Sequence, residues 1–155
     1  MSTPTIEPYD GPREDLVGSF RLAEDSDELL TGYLDLGVVW VARDHDGAVI
    51  GHLQVIPQAD AWEVRNTAVA EPHQGRGIGR LLIEHAVAAA RAVGVPRVVV
   101  ATAAADVGNL RFYQRCGFRM ERVVPDAFGP GTGYPDPIEI DGIPLRDQVW
   151  FGRDL

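Results

Sequence analysis

A chain of 155 residues, 45% of them hydrophobic, can bury a real core and is short enough to be one domain, residues 1–155. Its formal net charge of −9 argues against a nucleic-acid partner, which calls for a basic face. No run of eighteen apolar residues is present, the opening MSTPTIEPYDG lacks the layout of a secretory signal, and the single cysteine, Cys116, allows no internal disulfide, so a cytoplasmic protein without membrane contact is expected.

In chain order, a short strand is expected at 5–8 and a short helix over 13–22, opened by Pro12. Asp25 or Ser26 caps the next helix, in which Leu29, Leu30, Tyr33 and Leu34 recur at helical spacing before Gly37 ends it. The β-branched run 38–43 reads as a strand, Asp44-His45-Asp46-Gly47 as a hairpin turn, and 48–56 as the returning strand. A third strand, 61–70, leads into Gln74-Gly75-Arg76-Gly77-Ile78-Gly79. That run opens a helix whose apolar face is Ile78, Leu81, Leu82, Ala86, Ala89 and Val93, stopped by Gly94 and Pro96. Residues 97–102 form a continuous apolar run, as a buried strand does. Asp106 caps a helix that Gly117 ends, and strands follow at 118–124 and 145–152. Between those strands lies a long Pro-, Gly- and Asp-rich segment whose Phe128, Tyr134, Ile138 and Ile140 argue for order. The order β, αα, βββ, α, β, α, ββ gives an α/β (α+β) class, a mixed sheet with helices on both faces.

The glycine run is the most informative stretch. A strand, a glycine-rich turn and a helix start together make a place to hold an anion: the first helical N–H groups have no partners inside the helix, and its dipole is positive there. Glycines let phosphates approach without meeting a Cβ. The run lacks the Gly-Lys-Ser/Thr ending of a nucleotide-triphosphate loop, and G-x-G-x-G is not the dinucleotide pattern G-x-G-x-x-G. A surface turn that binds nothing is the bland alternative.

Gln74, Gly77 and Gly79 match Q/R-x-x-G-x-G/A, and in this the stretch resembles the GNAT superfamily of N-acetyltransferases. Downstream, Asn109-Leu110-Arg111-Phe112-Tyr113-Gln114-Arg115-Cys116-Gly117-Phe118 is similar to the family's helix with an Asn and a Tyr beside the cofactor. The stretch from Gly133 to Ile143 resembles the tail of a bacterial branch of the family. The resemblance implies a GNAT-type fold, a mixed, mostly antiparallel sheet flanked by helices, and acetyl-coenzyme A as cosubstrate with no metal. It also implies transfer of the acetyl group to a primary amine of a small acceptor by direct attack. A protein of the same fold that binds coenzyme A without turnover is the alternative. The strand backbone at Ala68 and Val69, the loop Gln74, Gly75, Arg76, Gly77, Ile78, Gly79 and Arg80, and Asn109 with Tyr113 become the cofactor-binding candidates.

Transfer to an amine needs a base for the ammonium proton, a donor for the thioester oxygen and a proton for the departing thiolate. In the family a glutamate at the position of Glu63 acts as base, directly or through water; the other reading of Glu63 is an outward residue of an alternating strand. Strand alternation puts Glu63, Arg65 and Thr67 on one face and Asn66 on the other. The oxygen donor is expected from the backbone near Val69, where the family carries a bulge. Tyr113 is the candidate acid, or else a core tyrosine; Asn109 bonds the pantetheine arm, caps the helix, or does both. Arg76 and Arg80 are placed for phosphate, whereas Arg111 and Arg115 read equally as a solvated face. Asp126, Tyr134, Glu139 and Asp141 are candidates to line a cationic acceptor's pocket. His45 reads as solvated, His52 and His85 as structural, Cys116 as buried and inert, and no Cys/His/Asp grouping has metal-ligand spacing. Every basic residue is arginine, so no lysine is open to self-acetylation, and the late strands could pair across a homodimer.

Overall fold

The computed structural model describes residues 3–155. β1 (Thr5–Pro8), β2 (Val38–Arg43), β3 (Val49–Pro57) and β4 (Trp62–Val69) lie side by side as antiparallel neighbours. β5 (Arg97–Ala103) joins β4 in parallel. β9 (Gln148–Asp154) returns antiparallel between β5 and β6 (Arg119–Val124). The sheet order is therefore β1-β2-β3-β4-β5-β9-β6, mixed but mostly antiparallel, and β7 (Glu139–Ile140) with β8 (Ile143–Pro144) forms a separate small pair.

Four helices flank this sheet: α1 (Val17–Arg21), which continues a 3₁₀ turn at Arg13–Leu16, α2 (Asp27–Tyr33), α3 (Ile78–Ala92) and α4 (Val107–Arg115). Alternation along the strands divides the core in two. Trp40 and Ala42 of β2, with Leu53, Val55, Val64, Val98 and Val100, pack against α3 and α4. Val39 and Val41 face the other way, onto Leu16, Phe20, Leu30 and Tyr33 of the first helical region. The buried stripe of α3 is Ile78, Leu82, Ile83, Ala86, Val87 and Ala90. Leu81 and Val93, expected on that stripe, are 39% and 66% exposed; the sheet covers a line turned toward Ile83 and Val87, and Val93 is already the helix cap.

The late segment is ordered by its own contacts. Leu145 donates its N–H to Ile138 O, Phe128 donates to Arg146 O, and the Phe128 and Tyr134 rings meet edge to face at 5.2 Å. β9 therefore starts at Gln148, later than the apolar run from Leu145 suggested, because Ile143–Pro144 is taken up by the small pair.

α4 ends as its sequence requires. Gly117 has φ +85°, and the Phe118 N–H bonds back to Tyr113 O at 3.0 Å. This six-to-one closure, with the Phe118 ring 5.9 Å from that of Tyr113, is a Schellman end with its apolar contact. It fixes the turn of helix that carries Tyr113. Gly117→Ala forces a Cβ into left-handed backbone and is expected to cost about 1–2 kcal/mol; urea unfolding at neutral pH, compared with the parent chain, checks it.

Candidate active site

The site starts from a place where the sheet comes apart. β4 and β5 pair in parallel only from Trp62↔Val98 to Val64↔Val100, although β4 runs on to Val69 and β5 to Ala103. Beyond Val64 and Val100 a wedge opens between the carboxyl ends of two parallel strands, the usual ligand position in open sheets. The Ala70 N–H bonds to Ile50 O on the β3 side. The alternation of an antiparallel ladder then turns the peptide groups of Ala68 toward β3 and those of Thr67 and Val69 into the wedge.

At the mouth of the wedge sits the glycine loop. Gly75 and Gly77 have φ of +77° and +80°, and a Cβ on either would meet nothing within 4 Å. The positive φ and the open space above both residues describe a cradle rather than a packed turn. The N–H groups of Gly75, Arg76 and Gly77 have no acceptor among the described residues. Those of Ile78, Gly79 and Arg80 are first-turn helix donors with none inside the helix. Gln74 serves differently: its N–H bonds to Glu71 O, and its side-chain amide donates to Val69 O at 2.9 Å, tying the loop to the end of β4. Ile78 is buried, so its N–H alone faces the cradle. A Cβ on Gly79 would lie 3.2 Å from Phe112 Cζ, so that glycine brings α3 close to α4.

α4 forms the opposite lip. Asp106 caps it by accepting from the Asn109 N–H at 3.0 Å. The Asn109 side-chain amide donates to Thr102 Oγ1 at 3.2 Å, which ties α4 to β5. Tyr113 is 4% exposed, its ring set among Phe112, Phe118 and Phe151. Its hydroxyl has no partner among the described residues, yet it is not a sealed buried orphan; Gln54 Oε1 is. Burial, with Cys116 and Asp106 nearby, raises the phenol's pKa, so it stays protonated and available as a donor. Arg76, Arg80, Arg111 and Arg115 form no salt bridge among the described residues, in contrast to the paired Arg21, Arg43, Arg65, Arg97 and Arg153.

On the α1–α2 side, Glu63 is 7% exposed and accepts from Gln58 Nε2 at 3.0 Å and from Arg65 Nη1 at 3.3 Å. The Arg65 guanidinium lies over the Tyr33 ring, 4.7 Å from its centroid. Asn66 reaches the same side, donating to Phe20 O and to the Tyr33 hydroxyl. Glu24 accepts from the hydroxyls of Tyr33 (2.9 Å) and Tyr134 (2.7 Å).

The family model described as Acetyltransferase (GNAT) family matches residues 9–118. The chain belongs to the GNAT family of acetyltransferases. Membership makes it an acetyl-coenzyme A-dependent acetyltransferase. The uncharacterized N-acetyltransferase YvbK of Bacillus subtilis (strain 168) is 28% identical over 150 residues, 97% of this chain and 96% of its own. The IAA acetyltransferase from Bacillus cereus ATCC 14579 superposes with a TM-score of 0.88 at 33% identity, over 99% of this chain and 100% of its own. A GNAT family acetyltransferase from Elizabethkingia anophelis, solved with acetyl-CoA bound, superposes with a TM-score of 0.89 at 28% identity over the whole of both chains.

Two expectations about β4 in this GNAT chain are corrected. Gln54 pairs with Asn66 but Val55 pairs with Val64, so Arg65 is an extra residue in β4. The bulge is therefore at Arg65 rather than near Val69. It resets the alternation: Glu63, Arg65 and Asn66 all reach the α1–α2 side, while Thr67 pairs with the core residue Leu53 and faces α3. Of the four residues expected around an acceptor, Tyr134 alone meets this side. Asp126, Glu139 and Asp141 are exposed; the Asp126 N–H bonds to Asp147, Glu139 starts β7 and Asp141 lies in the turn between β7 and β8. A pocket lined by Asp25, Asp27, Glu28, Tyr134 and Asp136 stands there instead. The Asp25 pKa is raised by burial, then by the nearby Glu24 and Asp106 carboxylates. Glu24 and Gln58 carried no signal in the sequence, since each sits in a connecting segment with no periodicity, and Asp25 was legible only as a candidate cap, a place that Ser26 takes. Among the described residues no helix is long and apolar enough to cross a membrane, and no group of three or more His, Cys, Asp or Glu is placed for a metal.

His52 is fully buried, stacked on Phe20 at 4.2 Å, and burial pushes its pKa down to about 4 against the opposing effect of the hydrogen bond it donates to Asn66 Oδ1. The unfolded chain, titrating near 6.5, binds a proton there that the fold refuses. Stability from this group is complete above that value and is lost as pH falls toward 4, by about 3 kcal/mol in all. Chemical denaturation across this range is expected to show the loss, and His52→Gln to flatten its slope.

Proposed function

We propose that this chain moves the acetyl group of acetyl-coenzyme A to the primary amine of a small acceptor by direct attack, with both substrates bound together. The observation that carries the reading is the wedge between β4 and β5, with unpartnered N–H groups at its mouth and a buried glutamate on the strand that forms its wall. The residues fit the cosubstrate. Six consecutive N–H groups, 75–80, have no acceptor among the described residues, and the space above Gly75 and Gly77 is open, as a diphosphate requires. Arg76 and Arg80, free of carboxylate partners among the described residues, supply the positive field that an acidic protein lacks overall.

The thioester, when bound, supplies an electrophilic carbon and a thiolate leaving group. Thr67 and Val69 turn their peptide groups into the wedge, where they pair with the pantetheine arm as a strand edge pairs with a strand. One of these N–H groups donates to the thioester oxygen as negative charge develops there. Glu63, held by Gln58 and Arg65, takes a proton from the acceptor's ammonium, directly or through a water, so that the neutral amine attacks the carbonyl carbon. As the C–N bond forms and the C–S bond breaks, the nitrogen sheds its second proton, which ends on the departing thiolate, and Tyr113 donates a hydrogen bond to that sulfur. With its pKa raised, the phenol shares its proton with the thiolate rather than surrendering it outright. Asn109, fixed by Thr102, keeps a carbonyl oxygen for the arm.

Two outcomes test the reading. Acetyl-coenzyme A at a hundred times its Kd is expected to add about 2.7 kcal/mol to stability, read as a rise in melting temperature. Gly77→Val removes that rise, because a branched side chain is placed in the cradle at φ +80°; a shift that survives the change would move the diphosphate elsewhere. In a panel of amines assayed by coenzyme A thiol release, Glu63→Gln is expected to lower kcat roughly 10²–10⁴-fold while the melting shift persists; undiminished turnover would remove Glu63 from the role of base.

A further inference from the structure

The polar side chains under the β4 bulge form a chain whose direction can be worked out atom by atom. The Phe20 carbonyl can only accept, so the Asn66 atom 3.1 Å from it is Nδ2. Nδ2 also donates to the Tyr33 hydroxyl oxygen at 3.0 Å. Asn66 Oδ1 then faces His52 Nε2 at 2.7 Å, so that nitrogen carries the ring hydrogen. Nδ1 is left with a lone pair and accepts from Ser19 Oγ at 2.5 Å. Tyr33, having accepted from Asn66, gives its one hydrogen to Glu24 Oε1 at 2.9 Å. Apart from the Asn66 N–H given to Phe20 O, every donor from Ser19 through His52, Asn66 and Tyr33 therefore points toward Glu24. Glu24 Oε2 takes two further donors, the Tyr134 hydroxyl at 2.7 Å and the Ser26 N–H at 3.2 Å.

Glu24 thus joins three parts of the chain: the buried polar row on β3 and β4, the cap of α2, and the late segment through Tyr134. The Tyr33 ring that it orients is the one under Arg65, and Arg65 holds Glu63. We infer that Glu24 is a positioning residue for acetyl transfer: by terminating this one-way chain and clasping Tyr134, it holds the wall beside Arg65 and Glu63 in place before an acceptor enters. The inference rests on the reading of Glu63 as the base on the acceptor side. A carboxylate is the group suited to the role, because it accepts on both oxygens at once; a glutamine in its place accepts on one and leaves one phenol without its acceptor.

The test uses the full chain with the panel amine that the wild type acetylates fastest, and compares Glu24→Gln, Tyr134→Phe and the double variant. Each single change is expected to raise the amine KM roughly tenfold, the scale of one hydrogen bond to a charged group. The KM for acetyl-coenzyme A should stay within about twofold of the parent value, because the cradle is untouched. The double variant should be no worse than Glu24→Gln alone, as for two changes to one contact. Wild-type amine KM in Tyr134→Phe and Glu24→Gln would overturn the inference and leave acetyl transfer standing. No thiol release from the wild type with any amine would overturn the transfer reading and the inference with it. A nitrogen–proton correlation spectrum of His52 is expected to show hydrogen on Nε2; hydrogen on Nδ1 would overturn the direction of the chain.

Discussion

A strand edge inside a protein must find partners for its peptide groups, because a buried N–H or C=O left alone costs about as much as a lost hydrogen bond. β4 meets this constraint in two ways. From Trp62 to Val64 it pairs with β5, and from Arg65 to Val69 it does not. The second stretch stays open because the chain leaves β4 for the glycine loop while β5 leads toward α4, so both connections start at the lips of the opening. Gln74 answers one of the exposed groups, the Val69 carbonyl; the rest face the wedge. An extended amide-bearing arm is the partner that such an edge suits, and this is why the proposed cosubstrate is read as an added strand.

The bulge at Arg65 gives β4 its second property. Regular alternation would send Asn66 toward α3, into Leu53, Val55 and the other apolar residues of that core, where an amide has no partner. One extra residue turns Asn66 under the first helices, where Phe20 O, Tyr33 and His52 satisfy it. The same extra residue brings Arg65 beside Glu63 and over Tyr33. A packing solution for one buried amide and the placement of the proposed base's partner are thus the same local event. Buried polar rows of this kind stabilise a fold when each member is satisfied; here the side chains from Ser19 to Glu24 all have partners, and Gln54 Oε1, the buried side-chain atom without one among the described residues, lies outside the row.

What could be read from the residues was what local chemistry determines. Gly117 ends a helix wherever it sits, and residues 5–8 alternate as a strand wherever they pair, so both stood where expected. The glycine loop was legible because alternate glycines at a helix start serve little else. The bulge was not legible: Arg65 and Asn66 are ordinary strand residues, and the extra residue appears only when the register of β3 is known. The buried face of α3 was misjudged at Leu81 and Val93 for a related reason, since a helix with apolar residues around much of its surface does not state which line the sheet will cover. Glu24 could not be found at all. Its importance comes from Tyr33, nine residues on, and Tyr134, 110 residues on, meeting at one carboxylate.

The charge distribution differs between the glycine loop and the α1–α2 side. Net negative charge repels a polyanion at long range, yet exposed charges act over about 8 Å at physiological ionic strength, so the field at the mouth of the wedge depends on its neighbours and not on the total. Arg76 and Arg80 stand there without carboxylate partners among the described residues, over a helix start that adds its own positive end. On the α1–α2 side the balance reverses. Burial raises the proton affinity of Asp25, and the nearby Glu24 and Asp106 carboxylates raise it further. On the proposed reading a diphosphate and an ammonium are drawn to different sides of one opening, with Glu63 on the strand between them. Such segregation is how one small protein of net charge −9 would attract the two oppositely charged substrates proposed for it.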